Sequence, residues 1–264
     1  MGPRVRVSAV TFLNARPLVY ELDRRHDLFA VDYDLPSTCA ARLHARDVDL
    51  GLIPAIEYLS GDYRLVPDMA IGSDGPILSV AVFTTVPVER VTRLALDTSS
   101  RSSAALCRIL CARLWHIDPV LVPAAPDLPA MLGEADAALV IGDPALAIDP
   151  ARAGVEKIDL GSAWRTLTGL PFVYAVWSGR PDALAPAHLA ALAAARDAGL
   201  AARDEIAQAA AGGDPATAAA LAAYLRDNLS YTFDERARAG LERFYELAHA
   251  VGHPAAVRPL RFFA

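Results

Sequence analysis

The sequence predicts an α/β fold of two lobes with a ligand cleft between them. Its first hundred residues alternate short β-patterned runs with helical runs, which is typical of a sheet with crossover helices. The same order of strand, polar loop and helix then starts again at Arg93. Ligands of open α/β sheets bind at the carboxyl ends of the strands, so a duplicated unit predicts one cleft facing both sheets.

The elements of the first repeat follow from hydrophobic periodicity. Val5 and Val7 indicate the first strand, Thr11–Arg16 is a polar loop, and Pro17 suits a first helical turn. This order places Asn14 near the carboxyl end of a strand. The remaining predicted elements are a strand over Val31–Leu35, an N-cap at Ser37 before a helix over Thr38–Arg46, a strand over Leu50–Ile53, and strands over Leu65–Ile71 and Leu78–Thr84 that flank a Gly72–Pro76 turn.

The second repeat begins with a strand over Arg93–Asp97 and a polar loop over Thr98–Ser103. Apolar residues at helical spacing then mark one face of a helix. The passages Asp49–Pro54 and Asp136–Gly142 look like one element used twice. The later predicted elements are a strand over Val120–Val122, a helix over Leu128–Leu132, a strand over Ala137–Ile141 and a turn over Gly142–Pro144.

The chain has to cross between the lobes twice, and we place these crossings near Thr84–Val91 and Pro171–Trp177. Lobe one then comprises residues 1–87 and 174–264, and lobe two comprises residues 88–173. The tail after Ala183 is rich in Ala, Leu and Arg at helical period. It predicts three or four helices on lobe one, with breaks at Gly199, at Gly212–Pro215 and near Ser230.

Composition excludes several classes of protein. The 264 residues are 54% hydrophobic, enough to bury a large core, and the formal charge of −6 argues against nucleic acid or an anionic membrane as a partner. Three cysteines without a Cys-x-x-Cys spacing indicate a reducing compartment and no structural zinc. The start lacks an apolar run for a signal peptide, so we expect a cytoplasmic location.

The Thr98–Ser103 loop is the leading candidate site because it holds five hydroxyls and one arginine between a strand and a helix start. Free backbone N–H groups and the helix dipole favour an anion there. The alternative is an N-cap with a solvated turn, although capping alone requires only one hydroxyl. Asn14 and Arg16 hold the matching place in the first repeat, where a simple turn is the alternative. For Gly142 and Asp143, cap and ligand contact both stay open. Phosphate-loop, dinucleotide and hydrolase motifs are absent from the sequence.

Seven ordered motifs resemble those of the chorismate dehydratases, the first enzymes of the futalosine route to menaquinone. The resemblance runs from about residue 4 to residue 178. The motifs are Ser8–Leu18, Leu35–Ser37, Asp49–Tyr58, Ser73–Pro76, Leu94–Ser103, Ile141–Pro144 and Thr168–Pro171.

The resemblance implies a type II periplasmic-binding-protein fold used as an enzyme, without cofactor or metal. The substrate would be chorismate, a small dicarboxylate, and the protein a monomer or homodimer. Asn14 matches the family's asparagine and is the expected catalytic residue. The expected substrate-binding residues are Arg16, Ser37, Ile53, Ser79, Thr98, Ser99, Ser100, Arg101, Ser102, Gly142 and Asp143. The matched loops hold no His or Lys, and their carboxylates Glu57 and Asp74 could equally be structural. We therefore expect the enolpyruvyl carboxylate of the substrate itself to act as the base.

Three other functions fit the same architecture. A sister enzyme that makes 1,4-dihydroxy-6-naphthoate is expected to use a histidine, and the cleft motifs here contain none. A solute receptor of a transporter would carry a leader sequence. A ligand-sensing domain of a transcription regulator would follow a helix-turn-helix segment.

Overall fold

The computed structural model describes residues 4–264, which divide into two compact units. The first unit contains residues up to Gly72, Ala175–Asp234 and Arg258–Ala264. The second contains Ser73–Tyr174 and Glu235–Val257.

Eleven strands and ten α-helices are found among the described residues. As far as β5 they are β1 (Val5–Val10), β2 (Phe29–Asp34), α1 (Pro36–His44), β3 (Leu50–Pro54), β4 (Arg64–Leu65) and β5 (Ile71–Ser73). Next come β6 (Val80–Thr84), β7 (Arg93–Asp97), α2 (Arg101–Leu110), β8 (Val120–Ala124), α3 (Leu128–Glu134), β9 (Ala137–Ile141), α4 (Gly142–Ala147), α5 (Pro150–Ala153), β10 (Glu156–Asp159) and α6 (Leu160–Thr168). The last are β11 (Phe172–Gly179), α7 (Pro186–Ala201), α8 (Arg203–Ala210), α9 (Pro215–Ala223) and α10 (Glu235–Ala250).

The two sheets share one strand order, which confirms the predicted duplication. The first runs β2-β1-β3-β11-β4, with β5 also paired to β11, and the second runs β8-β7-β9-β6-β10. In each sheet the first three strands are parallel and the fourth is antiparallel to the third. The α/β class is therefore also confirmed. The carboxyl ends of β7 and β9, and the start of β6, lie at one edge of the second sheet.

The first predicted crossing is in the wrong place. β6 pairs with β9 and β10 of the second sheet, so the chain leaves the first unit at Gly72 and not near Thr84–Val91. The second unit also includes α10, whereas the sequence pattern predicts every tail helix on lobe one. Phe244 of α10 packs edge-on against Trp164 and Phe172, and all three side chains are fully buried.

Several element boundaries also differ from the prediction. Asp68 has a φ of +59°, which ends the predicted strand over Leu65–Ile71 and leaves β4 and β5 as separate short strands. Leu78 has a φ of +62°, so β6 begins only at Val80. Gly199 lies inside α7 and does not break it.

Two helices begin earlier in the chain than the sequence predicts. Leu35, and not Ser37, occupies the N-cap of α1, since Pro36 takes the first helical position. The polar loop at Thr11–Arg16 gives way to a 3-10 helix over Leu13–Val19 that contains Pro17. No helix within residues 4–264 combines the length and the apolar character that crossing a bilayer requires.

Candidate functional site

The Thr98–Ser103 loop of the second unit is short, because α2 already begins at Arg101. Ser100 is the N-cap: its hydroxyl oxygen accepts a hydrogen bond from the Ser103 amide at 3.3 Å. Thr98 and Arg101 are exposed, whereas Ser102 is fully buried within the first turn. One hydroxyl therefore performs the capping that the alternative interpretation requires, and the others are not needed for it.

Ser99 is the polar group of this loop that the fold leaves unsatisfied. The residue is only 6% exposed, and its hydroxyl has no hydrogen-bond partner among the described residues. Buried polar atoms almost always have partners, so this hydroxyl beside a helix N-terminus is available to donate to a ligand acceptor. With the exposed guanidinium of Arg101 and the dipole of α2, this arrangement favours a carboxylate.

Asp97 fixes the loop, and it is not among the site residues predicted from the sequence. Its carboxylate is buried, accepts the Ser99 amide at 2.8 Å and accepts the Ile141 amide at 3.3 Å. It thereby ties the loop after β7 to the end of β9. The available signal was an Asp that closes an apolar strand just before a hydroxyl-rich turn.

Ser79 and Gly142 meet at the same edge of the second sheet. The Gly142 amide donates to the Ser79 carbonyl at 2.7 Å, and both residues are buried. Gly142 has a φ of +68° and opens α4, so the expected Gly142–Pro144 turn is the first turn of a short helix. Asp143 is exposed in that turn. The structure therefore brings together Ser79, Gly142, Asp143 and the Thr98–Ser102 residues.

In the first unit, Asn14 lies in the 3-10 helix over Leu13–Val19 and is half-buried. Its carbonyl oxygen accepts a hydrogen bond from the Tyr231 hydroxyl at 2.9 Å. Burial holds the pKa of Tyr231 well above its usual value, so this hydroxyl stays protonated as a donor. The Asn14 carboxamide makes no hydrogen bond within the described part of the chain. Asn14 is thus fixed through its backbone, while the donors and acceptor of its side chain are available to a ligand.

The other candidates of the first unit lie at or just after the carboxyl ends of β1, β2 and β3, which are neighbouring parallel strands. Arg16 is exposed and its guanidinium carbon lies 5.3 Å from the Tyr33 ring centre, beside a cavity of about 380 Å³. Burial raises the pKa of Tyr33. Ser37 is half-buried in the first turn of α1, and Ile53 is fully buried in β3. The Ile53 side chain therefore belongs to the core of this structure.

Asp74 and Asp159 are structural carboxylates near this edge of the second sheet. Asp74, which belongs to the predicted Gly72–Pro76 turn, pairs with Arg165 and lies 3.5 Å from Arg236. Asp159 caps α6 through the Ser162 amide at 2.9 Å and also accepts the amides of the Ile77–Leu78 segment. Within residues 4–264 no group of three or more His, Cys, Asp or Glu side chains is arranged to hold a metal ion.

Comparison with known proteins gives consistent relatives. Residues 5–250 match the family model described as Menaquinone biosynthesis. The chorismate dehydratase of Thermus thermophilus is 32% identical over 263 residues, covering 93% of this chain and 94% of that protein. The chorismate dehydratase of Campylobacter jejuni is 31% identical over 147 residues, covering 54% of this chain and 51% of that protein.

Solved structures share the fold at low identity. A protein of Archaeoglobus fulgidus superposes with a TM-score of 0.73 at 19% identity, covering 94% of this chain and 98% of its own. The periplasmic aliphatic sulphonate binding protein of Escherichia coli has a TM-score of 0.65 at 17% identity and 97% coverage of both chains. These likenesses confirm the predicted binding-protein type of fold.

Proposed function

This chain belongs to the menaquinone biosynthesis family, and from that premise we propose that it is a chorismate dehydratase. The reaction removes water from chorismate and gives 3-[(1-carboxyvinyl)oxy]benzoate, which makes the enzyme a carbon–oxygen lyase. Its place would be the futalosine route to menaquinone. A sequence identity of 32% that spans nearly all of the Thermus thermophilus chorismate dehydratase supports this proposal.

The reaction itself defines what the site has to supply. The C3 proton of chorismate is vinylogous to the ring carboxylate, so its removal gives a delocalised dienolate. The C4 hydroxyl then leaves, takes up a proton to become water, and the ring becomes aromatic. Atoms balance with one water released and no change of oxidation state, so the step needs no redox partner. Aromatisation provides the thermodynamic drive.

The observation that carries the proposal is the buried hydroxyl of Ser99 at the N-terminus of α2, which has no hydrogen-bond partner among residues 4–264. A carboxylate oxygen of chorismate would accept this hydrogen bond and lie in the positive field of the helix. Arg101 adds an exposed positive charge to the same loop. Donors fixed in place before the substrate arrives stabilise a developing dienolate without reorganising during the reaction.

Asn14 is proposed to orient the substrate through its carboxamide, which the fold leaves without a partner within the described residues. An amide can donate to one oxygen and accept from a hydroxyl, but it cannot take up a proton near neutral pH. We therefore assign the proton transfer to the enolpyruvyl carboxylate of chorismate, which is close to C3 in the same molecule. Such an intramolecular base has a large entropic advantage.

A cytoplasmic location is part of the proposal. The three cysteines, Cys39, Cys107 and Cys111, are buried and form no disulfide, which is typical of a reducing compartment. The proposed partner is a small dicarboxylate and not a nucleic acid or a membrane.

The test incubates the purified protein with chorismate and follows aromatic absorbance and product mass. We expect loss of one water from the substrate mass with wild-type protein and a rate about 100-fold lower with Asn14→Ala, because one positioned polar group contributes about that much. Ser60→Ala, which removes an exposed hydroxyl of the first unit, serves as the control and keeps full activity. Tight binding of chorismate without turnover would contradict the proposal and indicate a receptor.

A further inference from the structure

Leu78 has an unusual backbone at the edge of the second sheet that carries the Thr98–Ser103 loop. Its φ is +62°, and the Ser79 amide donates to the Ile77 carbonyl at 2.7 Å across it, so Leu78 is the centre of a three-residue γ-turn. A γ-turn with positive φ at its centre is rare and strained. Leucine, unlike Asn or Asp, has no side-chain group that could stabilise a positive φ through a local hydrogen bond.

The surrounding structure enforces this conformation from both sides. The Leu78 amide donates to Asp159 Oδ2 at 2.7 Å, and the Ile77 amide donates to the same carboxylate at 3.1 Å. On the other side, the Ser79 carbonyl accepts the Gly142 amide at 2.7 Å. Strained residues that are held in this way cluster at functional sites, where the strain serves to present a group.

The turn presents an apolar side chain to solvent. Leu78 is 38% exposed, although Ile77 and Ser79 on either side are at most 1% exposed. Three hydrogen bonds link this turn to the Thr98–Ser103 loop. They join Ser79 to Gly142, Ile141 to Asp97, and Asp97 to Ser99. This chain of hydrogen bonds connects an exposed leucine to the buried Ser99, whose hydroxyl has no partner in the described part of the chain.

We infer that Leu78 is a specificity-determining residue that packs against the apolar ring of the bound carboxylate. This inference rests on the proposed function. The Ser99 hydroxyl binds a charged oxygen, while Leu78 covers the neighbouring carbon surface, so the pair selects a carboxylate attached to a ring. The contact is the same before and during the reaction, and its loss therefore raises KM more than it lowers kcat.

The experiment compares Leu78→Gly, Leu78→Met and His116→Gly with the wild type. His116 also has a positive φ, of +55°, but it lies before β8 at the opposite edge of the second sheet, which makes it the matched control. We expect Leu78→Gly to lower kcat/KM for chorismate about tenfold or more, mainly through KM, because removal of a side chain of this size from a ligand contact has that effect. Leu78→Met keeps the apolar contact and restores kcat/KM to within about threefold.

Stability measurements separate this role from a structural one. Glycine adopts positive φ freely, so the urea midpoints of Leu78→Gly and His116→Gly should equal or exceed that of the wild type. His116→Gly should leave kcat/KM unchanged. An unchanged kcat/KM in Leu78→Gly would overturn the inference, as would a loss of activity that accompanies a lower urea midpoint and persists in Leu78→Met.

A binding measurement keeps the inference separate from the proposed function. Benzoate, an aromatic carboxylate, is titrated calorimetrically into wild-type protein and Leu78→Gly. If the wild type does not convert chorismate, the proposed function fails, yet an approximately tenfold weaker benzoate affinity in Leu78→Gly would still support the role of Leu78. Equal affinities, or no benzoate binding to the wild type, would overturn it.

Discussion

The amide of Ser99 donates a 2.8 Å hydrogen bond to the carboxylate of Asp97, two residues before it. The second oxygen of that carboxylate accepts the Ile141 amide at 3.3 Å. One buried side chain therefore fixes the loop that follows β7 and the end of the neighbouring strand β9. The geometry of the proposed anion site depends on Asp97, although this residue need not touch a ligand.

Asp97→Ala should destabilise the protein by about 2–5 kcal/mol, because two buried amides lose their acceptor. It should also raise KM for chorismate, since Ser99 is no longer held in place. Urea denaturation and steady-state kinetics measure the two effects. Asp127→Ala is the control, because Asp127 caps α3 at an exposed position and its loss should cost only about 1 kcal/mol. Equal losses in both variants would contradict the bridging role.

Ser99→Ala and Ser100→Ala should have opposite effects. The Ser99 hydroxyl has no partner within residues 4–264, so its removal should leave the urea midpoint unchanged or higher while kcat/KM falls about tenfold or more. Ser100 caps α2, so Ser100→Ala should cost about 1 kcal/mol of stability. A stability loss in Ser99→Ala with full activity would show that its hydroxyl serves the fold and not a ligand.

Gly199→Ala should disturb the segment that carries Asn14. A Cβ atom at Gly199 in α7 would overlap the backbone of Pro17, which is part of the same 3-10 helix as Asn14. We expect lower stability and lower kcat, because backbone cannot yield as a flexible side chain can. Gly133→Ala in α3 is the control, because the added methyl group would meet no heavy atom of residues 4–264 within 4 Å apart from its chain neighbours and the backbone of its own helix. It should stabilise the helix by up to about 1 kcal/mol. Similar outcomes for both variants would exclude the proposed effect on Asn14.

Asp49 should make the stability of the protein depend on pH in the acid range. Hydrogen bonds from Arg6, and then from Arg180, lower the pKa of Asp49 from 3.8 to about 2 against the opposing effect of burial. The folded state therefore binds the proton less readily than the unfolded state. The stabilisation is complete above about pH 4 and is lost as the pH falls toward about 2.

The measurement is the urea midpoint as a function of pH. Across that acid window, Asp49→Asn should show a shallower decline than the wild type, whereas Asp182→Asn, which alters an exposed carboxylate, should decline like the wild type. Identical slopes for wild type and Asp49→Asn would contradict this role of the Arg6 and Arg180 contacts.

Regular elements were predictable where local pattern decides them. The strand over Arg93–Asp97 and the strand over Ala137–Ile141 have the predicted bounds, because apolar runs bounded by turn residues leave little choice. The common order of the two sheets also follows from the repeat. Boundaries that depend on distant contacts were not predictable. The start of β6 is one example, because the amide of Leu78 just before it donates to Asp159, 81 residues further along the chain.

The residue types of the candidate site were predictable, but their hydrogen-bond partners were not. The hydroxyls of Thr98–Ser103 indicated an anion site, yet only the structure distinguishes the capping Ser100 from the unpartnered Ser99. Glycines illustrate the same limit. Gly199 looks like a helix breaker in sequence, but it lies inside α7. The backbone of Pro17 approaches this position so closely that any side chain would overlap it.

The discontinuity of both units has a consequence for synthesis on the ribosome. A nascent chain that has emerged through Tyr174 carries the whole second sheet but lacks α10, and Trp164 and Phe172 then have no Phe244 to cover them. The first unit, in turn, waits for β11 and the helices that follow it. Neither core can close until most of the polypeptide has been translated, so long-range contacts should dominate the folding rate and early fragments should expose apolar surface to chaperones.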